Sequence, residues 1–188
     1  ALLGKIRSRF PKSKISIRVD ANGAFSPENA LDKLKKLSQY NIHSIEQPIP
    51  PGRVKEMAVL CHDSPIPIAL DEELIGIHDR NQKLQLIEVI KPHFLILKPT
   101  LLGGIAATRE WVDIASQTNT SWWMTSALES NIGLNAIAQL TSYLNGTMPQ
   151  GLGTGQLYHN NVDSPLRISE GKLFYNKNLH WKIPDTFN

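Results

Sequence analysis

Apolar and polar positions along the chain change period at regular intervals. Leu2, Leu3, Ile6 and Phe10 stand among Lys and Arg at helical spacing, and Pro11 ends that run. Ile15-Ser16-Ile17-Arg18-Val19-Asp20 alternates and is rich in β-branched residues, which predicts a strand. Ser26-Pro27-Glu28 then supplies an N-cap, a proline at the first helical position and a first-turn acid. Ala30, Leu31, Leu34 and Leu37 carry the apolar stripe of that helix, and Asn41 closes it. The same alternation predicts strands over 42–46, 66–70, 94–98 and 122–125 and helices over 54–61, 78–89, 105–116 and 132–144. A last strand candidate lies near 151–155. The strands are short and apolar on both faces, as in a parallel sheet covered by helices.

The repeat length selects among parallel architectures. The strand tips Asp20, Glu46, Asp71, Lys98, Ser126 and Gly153 follow one another at intervals of 25–28 residues. So even a βα pitch is expected of a barrel, whose units all cross the same distance. A doubly wound sheet is the rival, but it often opens on a glycine-rich phosphate turn, and Gly151-x-Gly153-x-Gly155 lacks the later glycine of that motif. The expected fold is therefore α/β, a TIM-type (β/α)7β barrel. Six of the eight βα units are visible, against a full barrel of about 250 residues. The leading helix has no strand of its own, and the chain starts at Ala1 and not at Met. A fragment without its first strands is the expectation. Residues 1–160 would form the partial barrel, and residues 161–188 an extension packed outside it. Within that extension Arg167 to Tyr175 reads as a hairpin turning at Glu170-Gly171.

Composition narrows the classes without naming a function. The chain is 41% hydrophobic and 20% charged, which excludes disordered and low-complexity proteins. A net charge of +3 is spread along the chain, so no nucleic-acid partner is expected. No apolar run approaches the roughly 18 residues that span a bilayer, so no membrane partner is expected either. The single cysteine, Cys61, excludes an internal disulfide framework and fits a reducing, cytoplasmic setting.

The strand tips carry the candidate chemistry. Asp20, Glu46 and Asp71 end three consecutive strands, and in a barrel those ends meet at one mouth. Three carboxylates there repel one another unless a cation lies between them. All-oxygen ligation suits Mg²⁺, with Mn²⁺ as a substitute. The ordinary alternative is that such acids cap the next helix or pair with lysines. Lys98 ends the next strand; beside a divalent cation it could shuttle a proton or stabilise charge, or it could simply pair with Asp71 or Glu72. Lys91 lies in the loop before that strand and reads as solvated.

Asp20-Ala21-Asn22-Gly23, Glu46-Gln47-Pro48, Leu70-Asp71-Glu72 and Leu97-Lys98-Pro99 together resemble the third to sixth barrel strands of the muconate-lactonizing subgroup of the enolase superfamily. The resemblance covers about residues 14–160. It implies that Asp20, Glu46 and Asp71 bind one Mg²⁺, which grips a substrate carboxylate and stabilises the enediolate left by α-proton removal. Lys98 would face that enediolate, holding charge in dehydrating members and also moving a proton in racemases. The opposite face belongs, in the family, to a lysine of a Lys-x-Lys motif on the second strand. Lys12-Ser13-Lys14 lies in the loop before the Asp20 strand and cannot be that motif. The chain as given is thus expected to lack a general base and the amino-terminal capping domain, and not to turn over alone.

The resemblance also implies a small carboxylate substrate held by Asn22, by Ser126, Glu129 and Ser130 of the seventh tip, and by Gly153 and Gly155 of the eighth. Hydroxyls and N–H groups beside a helix start suit a carboxylate; equally, Ser130 could cap that helix and Glu129 pair with a neighbour such as Lys98. Relatives acting on dipeptides carry Asp-x-Asp at the eighth tip, and its absence favours a substrate without an amine. The leading reading is a metal-dependent lyase that removes a proton α to a carboxylate and then expels water. Racemisation or epimerisation of an acylated amino acid or dipeptide, and an inactive barrel fragment, are the alternatives. The six histidines show no ligand spacing; His43 and His93 precede strands, and His159 alone follows a tip. Trp122, Trp123 and Cys61 read as core.

Overall fold

The computed structural model describes residues 2–182. Helices and strands alternate as α1 (Leu2–Arg9), β1 (Arg18–Asp20), α2 (Pro27–Ser38), β2 (Ser44–Glu46), α3 (Val54–Asp63), β3 (Ile68–Leu70), α4 (Arg80–Ile90) and β4 (Phe94–Leu97). They continue as α5 (Pro99–Leu102), α6 (Gly104–Gln117), β5 (Ser121–Met124), α7 (Asn131–Tyr143), β6 (Leu166–Ser169) and β7 (Lys172–Tyr175). The sheet order is β1-β2-β3-β4-β5, and β6 and β7 form a separate antiparallel pair. Among the described residues two compact units result: Leu2–Ile96 with Arg109–Trp122, and Leu97–Thr108 with Trp123–Lys182.

In the first unit β1, β2, β3 and β4 pair in parallel, with Asp20 level with Glu46, Glu46 level with Ala69, and Leu70 level with Leu95. Ile45, Ile68, Leu70 and Leu95 are at most 1% exposed, which is why runs apolar on both faces became interior strands. Helix α2 buries Ala30 and Leu34, and α3 buries Met57, Leu60 and Cys61. Helix α4 is capped by Asp79, whose Oδ1 accepts from the Gln82 N–H at 2.9 Å, and ends at Lys91 in the left-handed conformation. Lys91 is exposed. Lys83 of α4 is 1% exposed, reaches Glu110 of α6 at 3.4 Å and lies over the Trp111 ring. The side chain of Arg7 ties α1 down by donating to the carbonyls of Ile15, Tyr40 and Asn41 at 2.7–3.0 Å.

In the second unit the turn of the β6–β7 hairpin is Glu170-Gly171, both at positive φ (50° and 72°), as a tight two-residue turn requires. A cavity of about 390 Å³ lies between α7 and the hairpin, lined by Asn135, Ala138, Ser142, Leu173 and Phe174 among others.

Two expectations need correction, and one element is new. The strand near 151–155 shrinks to a single parallel bridge, Gly151 to Thr125, and residues Thr154–Gln156 coil into a 3-10 turn instead. Three glycines in five residues leave little side chain to pack on a pleated surface, and the strand does not persist. The four-residue helix α5 was not foreseen; Pro99 at its first position starts it and Gly103 at φ 97° stops it. Ser26 sits at the start of α2 but its hydroxyl caps no backbone N–H; it serves the Glu28 carboxylate.

Candidate functional site

Side-chain alternation along paired strands fixes which residues share a face. Asp20 and Glu46 are register partners on β1 and β2, and Ala69 is the partner of Glu46 on β3. Asp71 lies two residues beyond Ala69, just past the end of β3, where continued alternation would put it on the face of Glu46 and Asp20. The three tips are not at one level: Asp71 is stepped two residues along the strand direction, the kind of stagger that closing a sheet into a barrel demands. Their settings differ accordingly. Asp20 is exposed and its Oδ1 accepts from the Asn22 N–H at 2.8 Å, Glu46 is half-buried, and Asp71 is 2% exposed. Asn22 itself is exposed at φ 45°. Among the described residues no three His, Cys, Asp or Glu side chains are already drawn together as a metal cage. Three hard oxygen donors thus stand at the ends of three adjacent strands. That donor set fits Mg²⁺ or Mn²⁺ in chemistry.

The same face carries a charge not singled out in the sequence. Arg18 lies two residues before Asp20 on β1, and burial holds its guanidinium below the usual value while the Glu46 carboxylate acts in the opposite sense. Alternation alone places Arg18 beside Asp20, so the signal was in the strand pattern. His43 is lowered by burial and by the charge of Arg18, and its ring stacks on Phe94 at 5.1 Å. His93 accepts from the Ile68 N–H at 3.2 Å and is lowered by burial. Both histidines lie at the strand starts, away from the tips.

Gln47 and Glu73 were also missed. Gln47 is fully buried at φ 34°, and its amide joins β2 to the segment after β3. Its Oε1 accepts from the N–H groups of Asp71 and Glu73 at 3.2 and 3.3 Å, and its Nε2 donates to the Ile49 carbonyl and to Glu73 Oε2, both at 3.1 Å. Glu73 Oε1 in turn accepts from the Gly52 N–H at 2.9 Å. Apart from the bond to Ile49, these links join residues more than 20 positions apart, and no local pattern announces them.

In the second unit Lys98, the residue after β4, is half-buried, and its carbonyl accepts from the N–H groups of Leu101 and Leu102 at 2.9 and 3.1 Å. Its backbone is thereby fixed by α5. The seventh tip folds on itself: Ser126 Oγ donates to Glu129 Oε2 at 2.5 Å and accepts from the N–H groups of Leu128 and Glu129. Glu129 Oε1 accepts from the Thr100 hydroxyl and from the Ala127 N–H. Partial burial would raise the Glu129 carboxyl, but the hydrogen bonds from Ser126, Thr100 and the backbone together hold it below the usual carboxylate value. Ser130 occupies the N-cap of α7 without a side-chain cap bond. At the eighth tip a Cβ on Gly155 would stand 2.5 Å from Asn131 Oδ1 and 2.8 Å from Leu134 Cδ2, so close packing on α7 accounts for that glycine. Gly153 is exposed, and a Cβ there would meet only Ile168 at 3.9 Å. His159 is exposed; Trp123 is buried and Trp122 half-buried. Cys61 is buried, with its thiol pushed up to about 12 by desolvation.

Parallel strands that alternate with helices at an even pitch define an α/β-barrel class of protein. The sequence profile of the enolase C-terminal domain-like family matches residues 1–177, and the chain belongs to that family. It is 54% identical over 173 residues to an o-succinylbenzoate synthase of Desulfotalea psychrophila, covering 92% of this chain and 47% of that protein. The crystal structure of MenC from the same organism superposes with a TM-score of 0.88 at 53% identity, over 92% of this chain and 48% of that one. An N-succinylamino acid racemase of Thermus thermophilus is 27% identical over 92% of this chain and 46% of its own length. The chain spans about half the length of the curated relatives it matches.

Proposed function

We propose that this chain supplies the metal-binding and one acid–base part of an o-succinylbenzoate synthase, a cytoplasmic lyase of menaquinone biosynthesis. The carrying observation is that Asp20 and Glu46 are register partners on adjacent parallel strands and Asp71 follows directly on the next one, in a chain 54% identical to such a synthase. Those carboxylates would hold Mg²⁺, with Mn²⁺ as a substitute. A cation there supplies electrostatic stabilisation of the charge that develops on a substrate carboxylate as its α proton leaves.

The remaining work falls to the chain's own side chains. Lys98 would present an ammonium to that developing charge, its backbone held by α5 and Pro99. Arg18 tempers the carboxylate repulsion around Glu46. Asn22, Ser126, Glu129, Ser130, Gly153 and Gly155 are the proposed substrate contacts. Ser126 and Glu129 would act chiefly through each other, because their hydrogen-bonding groups are already engaged together. Of the described strand tips only the one after β4 ends on lysine. The 188-residue chain alone is therefore proposed to bind metal and not to dehydrate the cyclohexadiene substrate. The likeness to an N-succinylamino acid racemase favours racemisation of an N-acylated amino acid as the second reading.

Dehydration and deuterium exchange at the α-carbon, measured on a protein that joins this chain to the remaining part of a homologous synthase, separate the two readings. Dehydration lost in Asp71→Asn and Lys98→Ala supports the lyase. Exchange into an N-succinylamino acid without dehydration supports the racemase. Full dehydration in Asp71→Asn would overturn the metal assignment.

A further inference from the structure

Gln47 does more than fill space. Its side chain is fully buried, and all four hydrogen-bonding positions of the amide are occupied: two donors, to Ile49 O and Glu73 Oε2, and two acceptor sites, from the N–H groups of Asp71 and Glu73. Its backbone is used in both directions as well. The Gln47 N–H donates to the Ala69 carbonyl at 2.9 Å, and its own carbonyl accepts from the Gly23 N–H at 2.7 Å. Gly23 closes the turn that begins at Asp20, and Ala69 precedes Asp71 by two residues. One residue, adjacent in sequence to Glu46, thus bonds to the segments carrying the other two acids.

The backbone at Gln47 is held where an unbranched side chain gains nothing. A positive φ of 34° at a residue preceding proline is unfavourable on two counts, and it persists only where surrounding bonds over-determine it. Glu73, 6% exposed, is the counterpart, tying the same amide to Gly52 in the loop after β2.

We infer that Gln47 is a positioning residue for the metal-binding acids, its amide and carbonyl setting Asp20, Glu46 and Asp71 relative to one another. The inference rests on the metal site proposed above. A ligand set carried on three separate strand ends binds a cation well only when the residues behind it hold its geometry, and loss of such support typically weakens metal affinity 10–100-fold.

The test is Mn²⁺ binding to the 188-residue chain, followed by loss of the free aquo-ion signal in electron paramagnetic resonance, with thermal unfolding measured alongside. Gln47→Leu keeps the volume and removes the bonds; Mn²⁺ affinity should fall by about 10-fold or more. Leu34→Ala, a core change on α2, should lower the melting temperature and leave the affinity of the folded protein unchanged. Gln47→Glu and Glu73→Gln each put like groups face to face and should weaken binding. The double variant Gln47→Glu/Glu73→Gln restores one donor–acceptor pair and should recover part of the loss, a coupling that general destabilisation does not produce. This pair of variants decides the matter if Gln47→Leu does not fold. Unchanged Mn²⁺ affinity in Gln47→Leu, or an equal loss in Leu34→Ala, overturns the positioning role alone. If the unaltered chain binds no Mn²⁺, the metal assignment falls and this inference falls with it.

Discussion

At single positions, environment decides what a residue type does. The six histidines are one example: the two that precede strands, His43 and His93, are both held below the ordinary histidine value, chiefly by burial. A depressed histidine is more readily protonated in the unfolded chain. Its contribution to stability is therefore complete above about pH 6.5 and declines as the pH falls through that value toward the folded-state pKa. Melting temperature should drop with acidification below about pH 6.5, and His43→Gln/His93→Gln should flatten that slope. Glu129 works in another window: its lowered carboxyl adds stability above the ordinary carboxylate range, and that is lost as the pH falls through its folded value. Cys61 gives a simpler test. With its thiol raised to about 12, it should not react with a thiol reagent at pH 8 until the protein unfolds. The acids and lysine at the tips were legible because charged residues ending apolar runs stand out. Gln47 and Thr100 were not, because Asp71, Glu73 and Glu129, to which they bond, lie 24–29 residues away and only the folded chain brings them together.

Between residue and molecule, elements were legible where burial imposes a period. Helices α2, α3 and α7 fall within two residues of the expected limits, since each presents an apolar stripe to strands buried on both faces. The strands are shorter than their apolar runs because only the paired centre forms ladder bonds. The eighth strand failed for want of side chains, and its glycines point to contrasting outcomes. Gly155→Ala, which drives a methyl into Asn131 and Leu134, should destabilise by about 1–3 kcal/mol in denaturant unfolding. Gly171→Ala meets no neighbour but must hold φ 72°, so it should destabilise by about 1–2 kcal/mol through the backbone alone. A small local repacking near α7 in the first variant, absent from the second, would distinguish the causes.

Over the molecule as a whole, the candidate metal ligands all belong to the first unit, and Lys98 with the Ser126–Glu129 turn belongs to the second. Cation binding should therefore be felt first around 18–23, 44–52 and 68–74, as slowed amide hydrogen exchange when Mg²⁺ is added. At about 100 times its Kd a ligand stabilises by about 2.7 kcal/mol. For a chain of this length that is a rise of about 5–11 °C in melting temperature. Asp71→Asn should abolish both the rise and the slowed exchange. No helix among the described residues is long and apolar enough to cross a membrane.

The pairing of Lys83 with Glu110 over the Trp111 ring has one more consequence. An amine that is 1% exposed cannot meet an acylating reagent while α4 and α6 stay together, whereas most lysines of this chain stand in water. Lys83 is thus a built-in clock for opening of the helical layer. Its labelling rate under native conditions reports how often those two helices part, and mass spectrometry of a single peptide reads it without any mutation.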